Sequence, residues 1–97
     1  MTQQDQKEWR PITTWEEAHA LRFMENEQVE MRRSGNVYEG VIVSVAAEYL
    51  GAAVPARFSG RQRKKGDPIG APTGEDIFVW AGLKHIFTQR SVDELQR

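Results

Sequence analysis

The sequence predicts a mainly β domain in which an N-terminal α-helix precedes a small, strongly bent antiparallel barrel of five strands. Residues 14–25 repeat apolar side chains at nearly helical intervals. The rest of the chain alternates short β-branched and aromatic runs with segments rich in turn residues. Gly40 interrupts the second of these runs, and a glycine inside a strand is typical of a bulge or sharp bend.

The composition limits both the architecture and the chemistry. A chain of 97 residues supports one hydrophobic core, and the absence of cysteine excludes disulfides, thiolate metal sites and a cysteine nucleophile. The first residues lack the pattern of a secretory signal, and the longest nearly apolar run, residues 77–83, is far shorter than the ~20 residues of a membrane helix. We therefore expect a cytoplasmic protein with no membrane partner.

The helix is predicted from its capping residues and its apolar stripe. Thr14 can cap the first amides while Glu17, three residues later, reaches back towards it. The stripe that should pack on the core consists of Trp15, Ala18, Leu21 and Met24. The opposite face, predicted to be solvated, consists of Glu16, Glu17, Arg22 and Glu25. Residues 1–12 are predicted to be a flexible tail.

Five strands follow the helix within a single domain at residues 13–90. They are predicted at residues 28–33, 37–45, 53–58, 76–80 and 83–88. Pro55 donates no backbone hydrogen bond, so the third strand should lie at an edge or be interrupted. A long loop is expected at residues 59–75. Residues 91–97 should form a short C-terminal turn, because Ser91 and Glu94 repeat the capping pattern.

This order of elements resembles the Sm-like family of small RNA-associated barrels over residues 14–88. Residues 29–43 are similar to the family's first motif, in which a strand and a glycine-containing turn precede a strand with a bend glycine. Residues 77–86 are similar to its second motif, in which a small residue and a glycine precede the closing strand. Tudor, chromo-type and SH3-like barrels share the aromatic residue before the bend glycine, but they usually lack the helix.

The resemblance implies a barrel that assembles into rings and that binds ligands near its closing turn, where Lys84 and His85 lie. The family's usual aspartate and asparagine after the second strand, which help to hold RNA bases, are missing from residues 45–49. The common Arg-Gly pair is replaced by Ala81 and Gly82. The resemblance therefore implies the scaffold without the usual base pocket.

Charge is strongly segregated along the chain although the net charge is only −1. Residues 49–66 contain no acid, whereas residues 1–30 contain seven acids and three bases. The basic cluster comprises Arg57, Arg61, Arg63, Lys64 and Lys65. Such a loop can surround phosphates with guanidinium and amide donors. Two alternatives are a mobile loop that only protects a sheet edge, and a loop that pairs with the acidic helix of a neighbouring subunit.

Aromatic residues are the second feature expected at a site for single-stranded nucleic acid. The candidates are Tyr38, Tyr49, Phe58 and Trp80. We expect Phe58 and Trp80 to fill the barrel core. Tyr49 is the best exposed candidate because it directly precedes the acid-free stretch, with a place at the barrel rim as the alternative.

No motif indicates catalysis, a metal or a cofactor. His19 and His85 lack acidic partners at metal-ligand spacing, and the glycine-rich segments lack the Lys-Ser/Thr ending of a phosphate loop. We therefore expect a non-enzymatic module that binds RNA or DNA phosphates through its basic loop. The alternative is an assembly module that forms a homo-oligomeric ring without nucleic acid.

Overall fold

The computed structural model of the chain describes residues 8–46 and 55–95. The elements are β1 (Arg10–Pro11), α1 (Trp15–Phe23), β2 (Val29–Arg33), β3 (Asn36–Val45), β4 (Pro55–Gln62), β5 (Asp76–Gly82), a 3₁₀ turn (Leu83–His85), β6 (Ile86–Thr88) and α2 (Val92–Leu95). The prediction of a mainly β protein with an N-terminal helix is confirmed. Among the described residues, no helix is long and apolar enough to cross a membrane.

The strands form one antiparallel sheet in the order β1-β6-β2-β3-β4-β5. The sheet has six strands rather than the predicted five, because Arg10 and Pro11 add a strand beside β6. Its two edge strands, β1 and β5, do not pair with each other within the described ranges. The sheet is therefore not closed, and the predicted five-stranded barrel is not confirmed.

The open sheet is nevertheless strongly curled. Strands β5 and β6 lie four places apart in the sheet, yet only the three residues Leu83–His85 join them. In a flat sheet these strands would be about 19 Å apart at the usual spacing between strands. Four consecutive Cα steps reach at most about 15 Å. The short connection is therefore possible only because the sheet curls.

Two facing glycines permit this curl in the middle of the sheet. Gly40 on β3 pairs with Gly60 on β4, and a Cβ atom on Gly40 would lie 2.0 Å from the Ser59 carbonyl oxygen. The β3–β4 register then shifts between Ile42 and Ser44, as at a β-bulge. The prediction of a bend at Gly40 therefore has a physical basis, since no larger residue fits between the two backbones.

The core lies between the inner face of the sheet and α1, and α2 contributes Leu95. Its buried apolar residues are Ile12, Ala18, Leu21, Val29, Met31, Ile42, Ala56, Phe58, Ala81, Ile86 and Leu95. The predicted apolar stripe of the helix is confirmed, with Ala18 and Leu21 fully buried and Met24 packed against the cluster. Phe58 is also confirmed as a core residue.

The N-terminal segment differs from its prediction. Residues 10–12, expected in a flexible tail, are bound to the fold by the β1–β6 pairing and by burial of Ile12. Glu17, expected in solvent, is fully buried. It accepts hydrogen bonds from the Arg10 guanidinium at 2.7 Å and from the Thr13 amide at 2.8 Å. Burial alone would raise the pKa of Glu17, but these hydrogen bonds outweigh it and lower the pKa.

The remaining differences concern boundaries. Strand β4 continues to Gln62, so the first part of the predicted loop at 59–75 belongs to the sheet. The last predicted strand, residues 83–88, divides into a 3₁₀ turn and β6. The capping residues are confirmed: Thr14 accepts a hydrogen bond from the Glu17 amide, and Ser91 from the Glu94 amide.

Candidate functional site

Four basic side chains lie around the tight turn between β2 and β3; we call Arg33, Lys64, Lys65 and Lys84 the basic end. Lys64 and Lys65 line an open cleft of about 760 Å³ between this turn and residues 62–67. Arg33 lines an adjoining cleft of about 330 Å³, and Lys84 lies beside His85 at its border. None of the four forms an ion pair within the described residues.

The turn itself is built by two left-handed residues. Ser34 and Gly35 have φ angles of 55° and 79° and connect Arg33 to Asn36, which pair with each other. This geometry is typical of a two-residue hairpin, whose twist matches that of the flanking strands. The Gln62 side chain donates to Asn36 Oδ1 at 3.3 Å and so connects the turn to β4. The strands thus bring Arg33 close to the lysines of a sequence-distant loop.

Asp67 organises the loop that carries the lysines. Its Oδ2 atom accepts hydrogen bonds from the backbone amides of Lys64 and Thr73, both at 2.8 Å. The Lys64 amide, followed by the Thr73 amide, lowers the pKa of Asp67 because both donors favour the ionised carboxylate. The nearest acid in the loop is therefore engaged with backbone groups.

Acid is expected to loosen this loop. Because the pKa of Asp67 is lower in the folded protein than its usual value of about 3.9, the stabilising contribution is present above that value and is lost as pH falls through the lowered pKa. Amide hydrogen exchange of Lys64 and Thr73 should accelerate in that range, and Asp67→Ala should give fast exchange at neutral pH. Unchanged protection in the variant would contradict this role.

Arg63, a predicted nucleic-acid contact, forms ion pairs inside the fold. Its Nε atom donates to Glu39 at 2.6 Å and its Nη2 atom to Glu30, and both carboxylates are buried. Burial alone would lower the pKa of Arg63, but the two carboxylates outweigh it and raise the pKa. Arg32 also binds Glu30, at 2.7 Å. These contacts fasten the loop to the sheet, so we do not count Arg63 among the ligand contacts.

Arg61 has a different environment. Its Nε atom lies 2.9 Å from Asp76 Oδ1, and both side chains are largely exposed. An exposed ion pair of this kind contributes roughly 0–1 kcal/mol because water screens it. Arg61 can therefore exchange Asp76 for another anion at little cost.

Arg57 lies between two exposed rings; we call Arg57, Phe78 and Trp80 the aromatic face. The Arg57 Cζ atom is 4.1 Å from the centre of the Phe78 ring and 5.2 Å from the Trp80 ring. Phe78 is 57% exposed and Trp80 45% exposed. The prediction that Trp80 fills the core is therefore wrong.

The alternation of side chains along β5 explains this error. Ile77 and Val79 pack against the core, so Phe78 and Trp80 point to the opposite side of the sheet. The sequence analysis considered residues 77–80 as one apolar run and missed Phe78 altogether. The period of two along the strand was the signal that could have identified both rings.

The other predicted residues have varied positions. Tyr38 packs partly against the core, and Tyr49 lies outside the described residues. His85 is half-buried, with its Nδ1 atom 3.2 Å from the Arg32 carbonyl oxygen, whereas Lys84 is exposed. Within residues 8–46 and 55–95, no group of three or more histidine or acidic side chains is placed to hold a metal ion.

Comparisons of the chain with family models, curated proteins and solved structures found no match.

Proposed function

We propose that the protein binds the phosphates of a nucleic acid through its basic end. The observation that carries the proposal is the gathering of Arg33, Lys64, Lys65 and Lys84 around two adjoining clefts without acidic partners. The neighbouring carboxylates are engaged elsewhere: Asp67 accepts backbone amides, and Glu30 and Glu39 bind Arg63. A positive surface can therefore persist although the whole protein carries a net charge of −1.

We also propose that strands β2 to β6 form an Sm-like scaffold whose barrel is not closed by hydrogen bonds. Three features support this proposal. The sheet bends at Gly40, a long loop separates β4 from β5, and Gly82 precedes a short turn into β6. These features fall in the two stretches whose sequences resemble the Sm-like motifs.

The lysines of the basic end provide the direct test. Binding of a polyanion releases counterions, and each lost phosphate contact on a single strand should reduce the slope of log K against log salt by about 0.7. Lys64→Gln combined with Lys65→Gln should therefore reduce the slope by about 1.4 and weaken binding at low salt. Fluorescence anisotropy with a labelled single-stranded oligonucleotide, from about 50 to about 200 mM salt, measures both effects.

The matched control removes one positive charge outside the two clefts. Arg22→Gln on α1 alters an exposed residue and should leave the slope nearly unchanged. Equal effects of Arg22→Gln and Lys65→Gln would mean that only net charge matters, which would contradict a localised site. Absence of binding at low salt would refute the proposed function.

A second candidate function is self-assembly, which the exposed edge of β5 favours. Strand β5 has seven residues and pairs with β4 alone within the described residues, so one row of backbone donors and acceptors is available. The opposite edge, β1, has two residues, and Pro11 has no amide hydrogen. These unequal edges favour a β5–β5 dimer over a head-to-tail ring. Sedimentation velocity distinguishes them, and a monomer at high concentration would exclude both.

A further inference from the structure

We propose that the aromatic face stacks unpaired nucleobases of a single strand, a proposal that rests on the phosphate binding proposed for the basic end. Phe78 and Trp80 present large apolar rings to solvent on a short edge strand. Aromatic rings and arginine planes are the surfaces on which proteins stack bases of single-stranded nucleic acids. The base-binding surface would then be the outer side of β4 and β5.

Arg57 prepares this surface. Its guanidinium lies against both rings, so cation–π contact restrains the rings and the cation together. Within the described residues Arg57 has no ion pair, and its buried Nε atom has no hydrogen-bond partner. A buried guanidinium nitrogen without an acceptor is unusual, since such groups are normally satisfied. The aromatic face therefore combines flat apolar surface with a cation whose charge no carboxylate neutralises.

The surroundings of the aromatic face favour a polyanion over an apolar protein partner. Arg57, Ser59 and Arg61 occupy alternate positions of β4, about 6.6 Å apart, on one face of the sheet. The same strand continues into the loop that carries Lys64. Arg33 Nη1 lies 3.4 Å from the Trp80 carbonyl oxygen and so connects the basic end to β5. A protein interface core is usually depleted of charge, whereas these rings enclose a cation and have arginines beside them.

The experiment compares a single-stranded oligothymidylate with an abasic oligomer of the same length, which keeps the phosphates and lacks the bases. The variants are Phe78→Leu and Trp80→Leu, which retain apolar bulk but remove the rings. Phe23→Leu is the matched control because Phe23 is also an exposed aromatic residue, 73% accessible, on α1. Thermal unfolding verifies that all three variants remain folded.

The wild-type protein should bind oligothymidylate more tightly than the abasic oligomer. Each ring substitution should weaken oligothymidylate binding by about 5-fold to 100-fold, the range expected for one stacked base, and should leave abasic binding unchanged. The salt dependence should also remain unchanged because no phosphate contact is lost. Phe23→Leu should behave as the wild type.

The outcomes separate this inference from the proposed function. Equal binding of both oligomers, or no effect of the ring substitutions, overturns the base-stacking proposal and leaves phosphate binding intact. A self-associating wild-type protein that becomes monomeric in Phe78→Leu or Trp80→Leu, without base preference, makes the aromatic face a homotypic interface and overturns the proposal. If neither oligomer binds, both proposals fail.

Discussion

Replacing Gly40 with alanine is expected to destabilise the domain by about 3 kcal/mol or more, because the new methyl group has no space. It would lie 2.0 Å from the Ser59 carbonyl oxygen and 2.5 Å from Gly60 Cα. Both neighbours are backbone atoms of the paired strand, so relief requires separation of β3 from β4. A domain of this size has roughly 5–15 kcal/mol of stability in total, so the loss should be large in urea unfolding.

Gly82→Ala provides the matched control for this prediction. The nearest atom to a Cβ at Gly82 is His85 Cδ2 at 3.9 Å, which is ordinary van der Waals contact. Its φ of −67° is accessible to alanine. We expect a change of less than about 1 kcal/mol for Gly82→Ala. If the two variants unfold at the same urea concentration, the close approach of β3 and β4 does not determine the stability of the bend.

The contrast between Gly40 and Gly60 indicates what a sequence can reveal about this fold. Gly40 attracts attention because it interrupts a run of β-branched residues, and its role as a bend follows from local rules. Gly60 lies in a polar, glycine-containing stretch that was predicted to be loop. Its importance arises from the pairing with Gly40, twenty positions earlier, and that register depends on tertiary structure.

The same distinction holds for the charged residues. The exposed state of Lys64 and Lys65 was predictable from their position in a glycine-rich loop. The burial of Glu17 was not, because it depends on Arg10 from a segment expected to be flexible. Likewise, Arg63 belongs to the same basic run as the lysines, but the pairing of Glu30 with Glu39 across β2 and β3 places two carboxylates beside it.

That pairing predicts the second large effect: Arg63→Met should destabilise the domain by about 3 kcal/mol. The substitution removes a cation from between two buried carboxylates, and breaking a buried ion pair from one side costs about 3–5 kcal/mol. The lower end applies because Glu30 keeps its bond to Arg32 and Glu39 keeps the Gly70 amide at 2.9 Å. Urea unfolding followed by tryptophan fluorescence measures the loss.

Arg61→Met distinguishes buried pairing from simple loss of charge. Arg61 lies two residues before Arg63 and pairs with exposed Asp76, so this control should cost less than about 1 kcal/mol. Because Arg63 fastens the loop that carries Lys64 and Lys65, Arg63→Met should also weaken oligonucleotide binding under conditions in which the variant is folded. Equal stability of the two variants would mean that the buried carboxylates do not depend on Arg63. The basic end would then need another explanation for its order.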